Sequence, residues 1–338
     1  MGIDRQKTIR TLRLSMTCIF LFLLTWYYQV PESAWCLVTI WFVMYEYNTV
    51  GGVYTKSLLR FSGTALSAIY GMVIIYFCAN NPLINTIALV PGLFVYTYFF
   101  MGGDKTYIGT IGAVTLTIVL LNYNDVDSAI LRVFNVILGI IGSMFMIRFF
   151  YPQYARNLII ETLSTLIAQL STIIGNYLNP SIPLLTIHAD HLQYEHNTLA
   201  SLPSFDRLLS EAKMETGKAP FFVPHGKAAI EQFKLLLQLS SVFFSLLSTD
   251  DVRADPWISA KLLELLSALS AIERRLLQQP NEPTSMAKKI ISDTQNLQTQ
   301  QATAAILTNM IKKAALLDEE VKQIVLIYDV YDIRIEKM

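Results

Sequence analysis

Residues 13–150 read as a near-continuous series of apolar stretches, each about as long as a helix needs to cross lipid. A helix rises about 1.5 Å per residue and the hydrocarbon core is roughly 30 Å thick, so ~20 apolar residues make one crossing. Six stretches fit this measure: 13–30, 34–50, 57–79, 83–101, 106–122 and 128–150. Turn residues separate them, at Gln29-Val30-Pro31, Gly51-Gly52, Asn80-Asn81-Pro82, Gly102-Gly103-Asp104 and Asn122 to Asp125. The backbone has no partner in lipid, so each stretch must satisfy its own hydrogen bonds as a helix. Glu46 and Asn48 make the end of the second stretch the least apolar part of the series.

Charge divides the chain near residue 151. Residues 1–151 hold nine Lys+Arg and six Asp+Glu, whereas 152–338 hold 17 and 20. The expected architecture is therefore all-α, with a six-helix transmembrane bundle over 1–151 followed by a cytoplasmic α-helical bundle over 152–338. Loop charges set the orientation. Arg5, Lys7, Arg10 and Arg13 share a side with Lys56, Arg60, Lys105, Arg148 and Arg156, while the opposite loops carry only Glu32, Asp125 and Asp127. Positive residues stay in the cytoplasm, which places both termini inside. A net charge of zero argues against a nucleic-acid partner.

Beyond Tyr151-Pro152 the apolar residues recur every three or four positions, and helices are expected near 153–178, 204–217, 227–249, 256–279 and 284–336. Asp255-Pro256 is a helix start, and 179–183 and 219–226 read as loops. His188, Asp190, His191, Glu195 and His196 cluster in sequence, but without the spacing of a metal motif they read as a solvated loop. Cys18, Cys36 and Cys78 lie in apolar runs, where thiols act as small hydrophobes. Neither a metal nor another cofactor is expected. With no phosphate cradle, nucleophile elbow or Cys-x-x-Cys pair, an enzyme is not expected either.

The chemically informative residues are charges within the apolar half, where a central charge costs about 2.5–3.5 kcal/mol and faces a partner or a water-filled path. Lys56 and Arg60, four apart, occupy one helix face at the inner mouth of the third span. Arg132 lies about one turn into the sixth span from the outer side, either lining an anion path or pairing with Asp125 or Asp127. Glu46 is a candidate for proton coupling or for ion pairing with Lys56 or Arg60. Tyr45, Tyr96, Tyr98 and Thr115 are candidates to line the path. Gly63, Ser67 and Gly71, and Gly139, Gly142 and Ser143, give spans three and six small-residue faces for close packing, within a protomer or across a dimer.

The stretch from Trp35 to Gly71 resembles the aluminium-activated malate transporters of plants and the wider fusaric acid resistance (FUSC) superfamily of bacterial membrane transporters. The matching positions are Trp35, Glu46, Thr49-Val50-Gly51, Lys56, Arg60 and Gly63-Thr64, joined by Arg132, Gly139 and Pro152. In the second half the chain departs from the Trp-Glu-Pro motif of the plant members: it has Met214-Glu215-Thr216, with a match at Glu215 alone. The resemblance implies movement of organic anions, dicarboxylates or aromatic carboxylates, across a bacterial inner membrane. The protein is then a channel or an efflux transporter whose partners are membrane lipids and small organic or inorganic anions. Larger bacterial relatives repeat the membrane block, which implies a homodimer here. The alternative is a membrane-anchored scaffold or sensor whose helical domain binds a cytoplasmic partner.

Overall fold

The structure, a computed structural model, describes residues 5–78, 81–103, 105–121, 126–215, 219–246, 255–277 and 298–335. Among these every regular element is a helix: α1 (Arg5–Tyr27), α2 (Ala34–Met44), α3 (Val50–Cys78), α4 (Pro82–Phe100), α5 (Thr106–Leu121), α6 (Val126–Phe149), α7 (Ala155–Leu178), α8 (Leu184–Lys213), α9 (Ala219–Leu246), α10 (Pro256–Leu276) and α11 (Gln298–Ile335). The chain divides into two compact units, Met1–Tyr154 and Ala155–Met338.

In the first unit, α1, α3, α4 and α6 are long and apolar enough to cross a membrane. The second and fifth expected spans are shorter, α2 with 11 residues and α5 with 16. At about 1.5 Å per residue, α2 covers roughly half of the hydrocarbon thickness. Its limits are set by the chain on either side. Gln29 and Glu32 adopt left-handed backbone (φ 48° and 54°) in the turn before it, and α2 ends at Met44, leaving Glu46 and its neighbours as a connection to α3. Gly102 and Gly103 (φ 91° and 75°) provide the left-handed corner before α5, which side chains bearing a Cβ adopt only with strain. At α4, Pro82 occupies the first turn and the Asn81 side chain accepts from the Leu83 N–H at 3.0 Å.

Small residues let these helices approach, and the contacts lie within one protomer. A Cβ on Gly63 would stand 3.0 Å from the Ile108 carbonyl oxygen of α5, and one on Gly139 would stand 2.7 Å from the Cys36 carbonyl oxygen of α2. A Cβ on Gly142 would strike Leu21 of α1. Ser67 of α3 donates to the Gly112 carbonyl of α5 at 2.7 Å and lies 2.8 Å from the Tyr96 hydroxyl of α4.

Arg13, one of the positive charges that set the orientation in the sequence, is buried and only 1% exposed. Its guanidinium donates to the Asn48 carbonyl at 3.0 Å and to the Tyr151 carbonyl at 3.3 Å, tying α1 to the connection before α3 and to the end of α6. A guanidinium can satisfy several backbone carbonyls at once, and that capacity makes its burial tolerable here.

The second unit buries one continuous core drawn from each of its described helices. α7 is apolar enough to count as a fifth candidate span. Its apolar residues, Ile159, Leu163, Ile167, Leu170 and Ile174 among them, are spent on this core. The loop expected around His188–His196 is part of α8, a 30-residue helix that runs through Pro203. The loop expected over 219–226 is the start of α9. Periodicity was hidden in α8 because polar residues occupy its outer face and histidine and threonine (His191, Thr198) occupy buried positions. Among the described residues no group of three or more His, Cys, Asp or Glu is placed to hold a metal. Residues 278–297, which include the start of the last expected helix, lie outside the described residues.

Two polar groups in this core have assignable roles. Glu215 is 3% exposed, and its carboxylate accepts from the Ala155 N–H at 2.6 Å, at the first residue of α7, where backbone donors lack helical partners. His191 stacks on Phe244 with ring centroids 4.3 Å apart and lies 3.4 Å from the Ser240 hydroxyl. Burial pushes its pKa below the usual histidine value, opposed by Glu195 and reinforced by His188. The unfolded chain therefore binds the proton more readily. Stability from this residue is full above the unfolded value of 6.5 and declines as pH falls below it. The expected result is a lower melting temperature for the full chain at pH 5.5 than at pH 7.5, with the slope flattened in His191→Gln. An unchanged slope in that variant would assign the acid sensitivity elsewhere.

Candidate functional site

The connection after α2 and the N-terminal half of α3 carry Glu46, Lys56 and Arg60 to one side of the first unit. There they meet α5 and α6 around a cavity of about 510 Å³. Its wall comprises Trp35, Val38, Trp41, Phe42, Tyr45 and Glu46, then Lys56 and Arg60, then Tyr107, Thr110, Ile111, Val114 and Thr115, and finally Arg132. Each helix contributes one face. On α5 the lining positions 107, 110, 111, 114 and 115 follow the three-and-four spacing of a single helical stripe.

Three cations and one carboxylate face this space. Lys56 forms an ion pair with Glu46, and its ammonium sits 3.8 Å above the Tyr107 ring. Arg60, 4% exposed, lies beside the Tyr107 hydroxyl with its guanidinium 5.1 Å from the Phe42 ring centroid. Arg132, 3% exposed, lays its guanidinium 3.6 Å from the centroid of Trp35. These are cation–π placements, in which the ring's electron-rich face replaces part of the lost hydration of the cation.

Aromatic faces satisfy N–H donors only weakly. Arg60 Nε and Arg132 Nη1 are buried without a hydrogen-bond partner. Among the described residues neither arginine makes an ion pair: Asp127 does not reach Arg132, and Asp125 lies outside the described residues. Glu32 is near enough to act on the charge of Arg132 and stops short of pairing with it. Two desolvated guanidiniums with donors to spare, opening on one cavity, form a strong anion-attracting arrangement.

The structure thus gathers Tyr45, Glu46, Lys56, Arg60, Thr115 and Arg132 onto one wall. It does not bring Tyr96 or Tyr98 there. Two residues apart on α4, they are ~200° apart around the helix. Tyr96 is buried against Ser67, whereas Tyr98 is exposed and stacks on Phe94 at 5.5 Å, on a face that also presents Leu83, Ile87 and Val90 outward. Lipid contact explains that face. Trp35 and Phe42 as cation-bearing surfaces, and Tyr107 as a lining residue, emerge only in the structure. The signal for Tyr107 was its position three and four residues before Thr110 and Ile111, on the stripe that ends at Thr115.

A sequence model of the fusaric acid resistance protein family matches residues 11–325 of the chain. The inner membrane protein YeeA of Escherichia coli (strain K12) is 27% identical to it over 139 residues, which are 41% of this chain and 39% of that protein. The aligned stretch therefore spans well under half of that relative's length.

Proposed function

The chain belongs to the fusaric acid resistance protein family, and from that premise we propose that it moves organic anions, dicarboxylates or aromatic carboxylates, across a bacterial inner membrane with both termini in the cytoplasm. It works as a homodimer, either as a channel or as an efflux transporter, and the passage in each protomer runs along the wall of α2, α3, α5 and α6. The observation that carries this reading is the pair of buried guanidiniums, Arg60 and Arg132, that face one cavity and make no ion pair among the described residues.

The chemistry of each group follows from its place. Positive charge at a low-dielectric mouth raises the local concentration of anions. Arg60 and Arg132 offer paired N–H donors that replace the water a carboxylate sheds on entry, as rings of Arg and Lys do in anion pores. Trp35, Trp41, Phe42 and Tyr107 give the organic part of the anion an apolar and aromatic surface. Thr110 and Thr115 add hydroxyl groups to the same wall.

Flux from liposomes containing the full chain, measured for malate, benzoate and chloride with and without a pH gradient, tests this. Carboxylate flux above that of empty liposomes is the expected result, and an increase on imposing a pH gradient distinguishes coupled export from a channel. No flux of any of the three anions would overturn the proposal and favour a membrane-anchored scaffold.

A further inference from the structure

The ion pair in the cavity is lopsided. The Lys56 side chain is 9% exposed while that of Glu46 is 55% exposed. Lys56 is held in the middle of the second turn of α3, its ammonium over the Tyr107 ring. Glu46 stands on the connection beyond the end of α2, outside any helix. The buried ammonium needs an anion beside it, because an unpaired charge at low dielectric is costly. The carboxylate, open to solvent, loses little by leaving. Both groups line the cavity that Arg60 and Arg132 share.

We propose that Glu46 is a tethered counter-ion that occupies Lys56 while the cavity is empty and is displaced from it by the carboxylate of an entering anion. This inference rests on the anion-transport reading of the site and adds a rule of admission to it. Lys56 is never without a negative partner: Glu46 serves in the empty state and the permeant anion in the loaded one. An anion gains the third cation only by outcompeting a carboxylate held at high effective concentration by a short connection. A ligand with a second carboxylate on Arg60 or Arg132 does so readily, and a singly charged ion that makes one contact does not. Glu46 thereby sets the threshold of affinity and charge for entry.

Calorimetric titration of malate into the purified full chain tests this. Removing the competitor in Glu46→Gln should tighten malate binding about three- to fivefold, the upper part of the range of one partly exposed ion pair. Glu32→Gln, which removes a carboxylate that acts on Arg132 but does not line the cavity, should leave it within about twofold. Glu46→Gln leaves the buried Lys56 ammonium without its partner, so the empty variant should melt below the wild type and added malate should narrow that difference. Unchanged or weaker binding in Glu46→Gln would overturn the proposal while leaving the transport reading in place. So would equal tightening in Glu32→Gln, since the effect would then be a general field and not competition for Lys56. A wild-type protein that neither binds nor transports malate or benzoate would remove the transport reading and this inference with it.

Discussion

Replacing Arg132 by alanine should lower carboxylate flux through the reconstituted protein about 10- to 100-fold and shift its reversal potential toward that of a cation-permeable path. A hydrogen bond to a charged group contributes about 1.5–3 kcal/mol, and each 1.4 kcal/mol is about tenfold. Arg132 offers an anion such bonds because one of its N–H donors is already desolvated and without a partner. Part of the loss is electrostatic and part geometric, so Arg132→Lys should fall between the two. An ammonium keeps the charge but cannot lie flat on Trp35 while presenting a planar fork to a carboxylate. Identical flux and reversal potential before and after Arg132→Ala would remove this residue from the passage.

The second large effect concerns packing. Gly139→Val should prevent the first unit from reaching its native arrangement, with a marked fall in the yield of monodisperse protein and in its melting temperature. The added Cβ would stand 2.7 Å from the Cys36 carbonyl oxygen and 2.9 Å from the Thr39 Cβ. Backbone cannot swing aside as a flexible side chain does, so overpacking here exceeds the usual penalty of about 1–3 kcal/mol. The site would suffer as well. Cys36 follows Trp35 on α2, and α6 carries both Gly139 and Arg132. Any separation of α2 from α6 therefore draws the indole away from the guanidinium. Gly139→Ala already introduces the clashing atom and should show a milder form of the same loss. Wild-type yield and melting temperature in the valine variant would mean that the two helices are not in contact.

Much of this was legible in the residues, and what was not has identifiable causes. Lys56, Arg60 and Arg132 declared themselves because each interrupts an apolar run, where charge is expensive. The helical nature of both halves followed from apolar periodicity. The burial of Arg13 is not legible in the sequence because it depends on carbonyls 35 and 138 residues away. The half-length of α2 was concealed by an apolar sequence that continues across its turns. Tyr96 and Tyr98 were grouped by chemistry, although their separation along α4 puts them on different faces. Tyr107 is unremarkable by itself and gains meaning only beside Lys56 and Arg60, which the sequence places some 50 positions earlier.

The stacking of Arg132 on Trp35 also gives the protein a built-in optical gauge. Indole emission responds to a nearby positive charge, and here that charge lies 3.6 Å from the ring centroid. An anion that drew the guanidinium toward the cavity would alter the electric field across the excited ring, so occupancy would shift the colour of the emitted light. With four tryptophans in the chain, a variant keeping only Trp35 would report filling and emptying in real time, without a label.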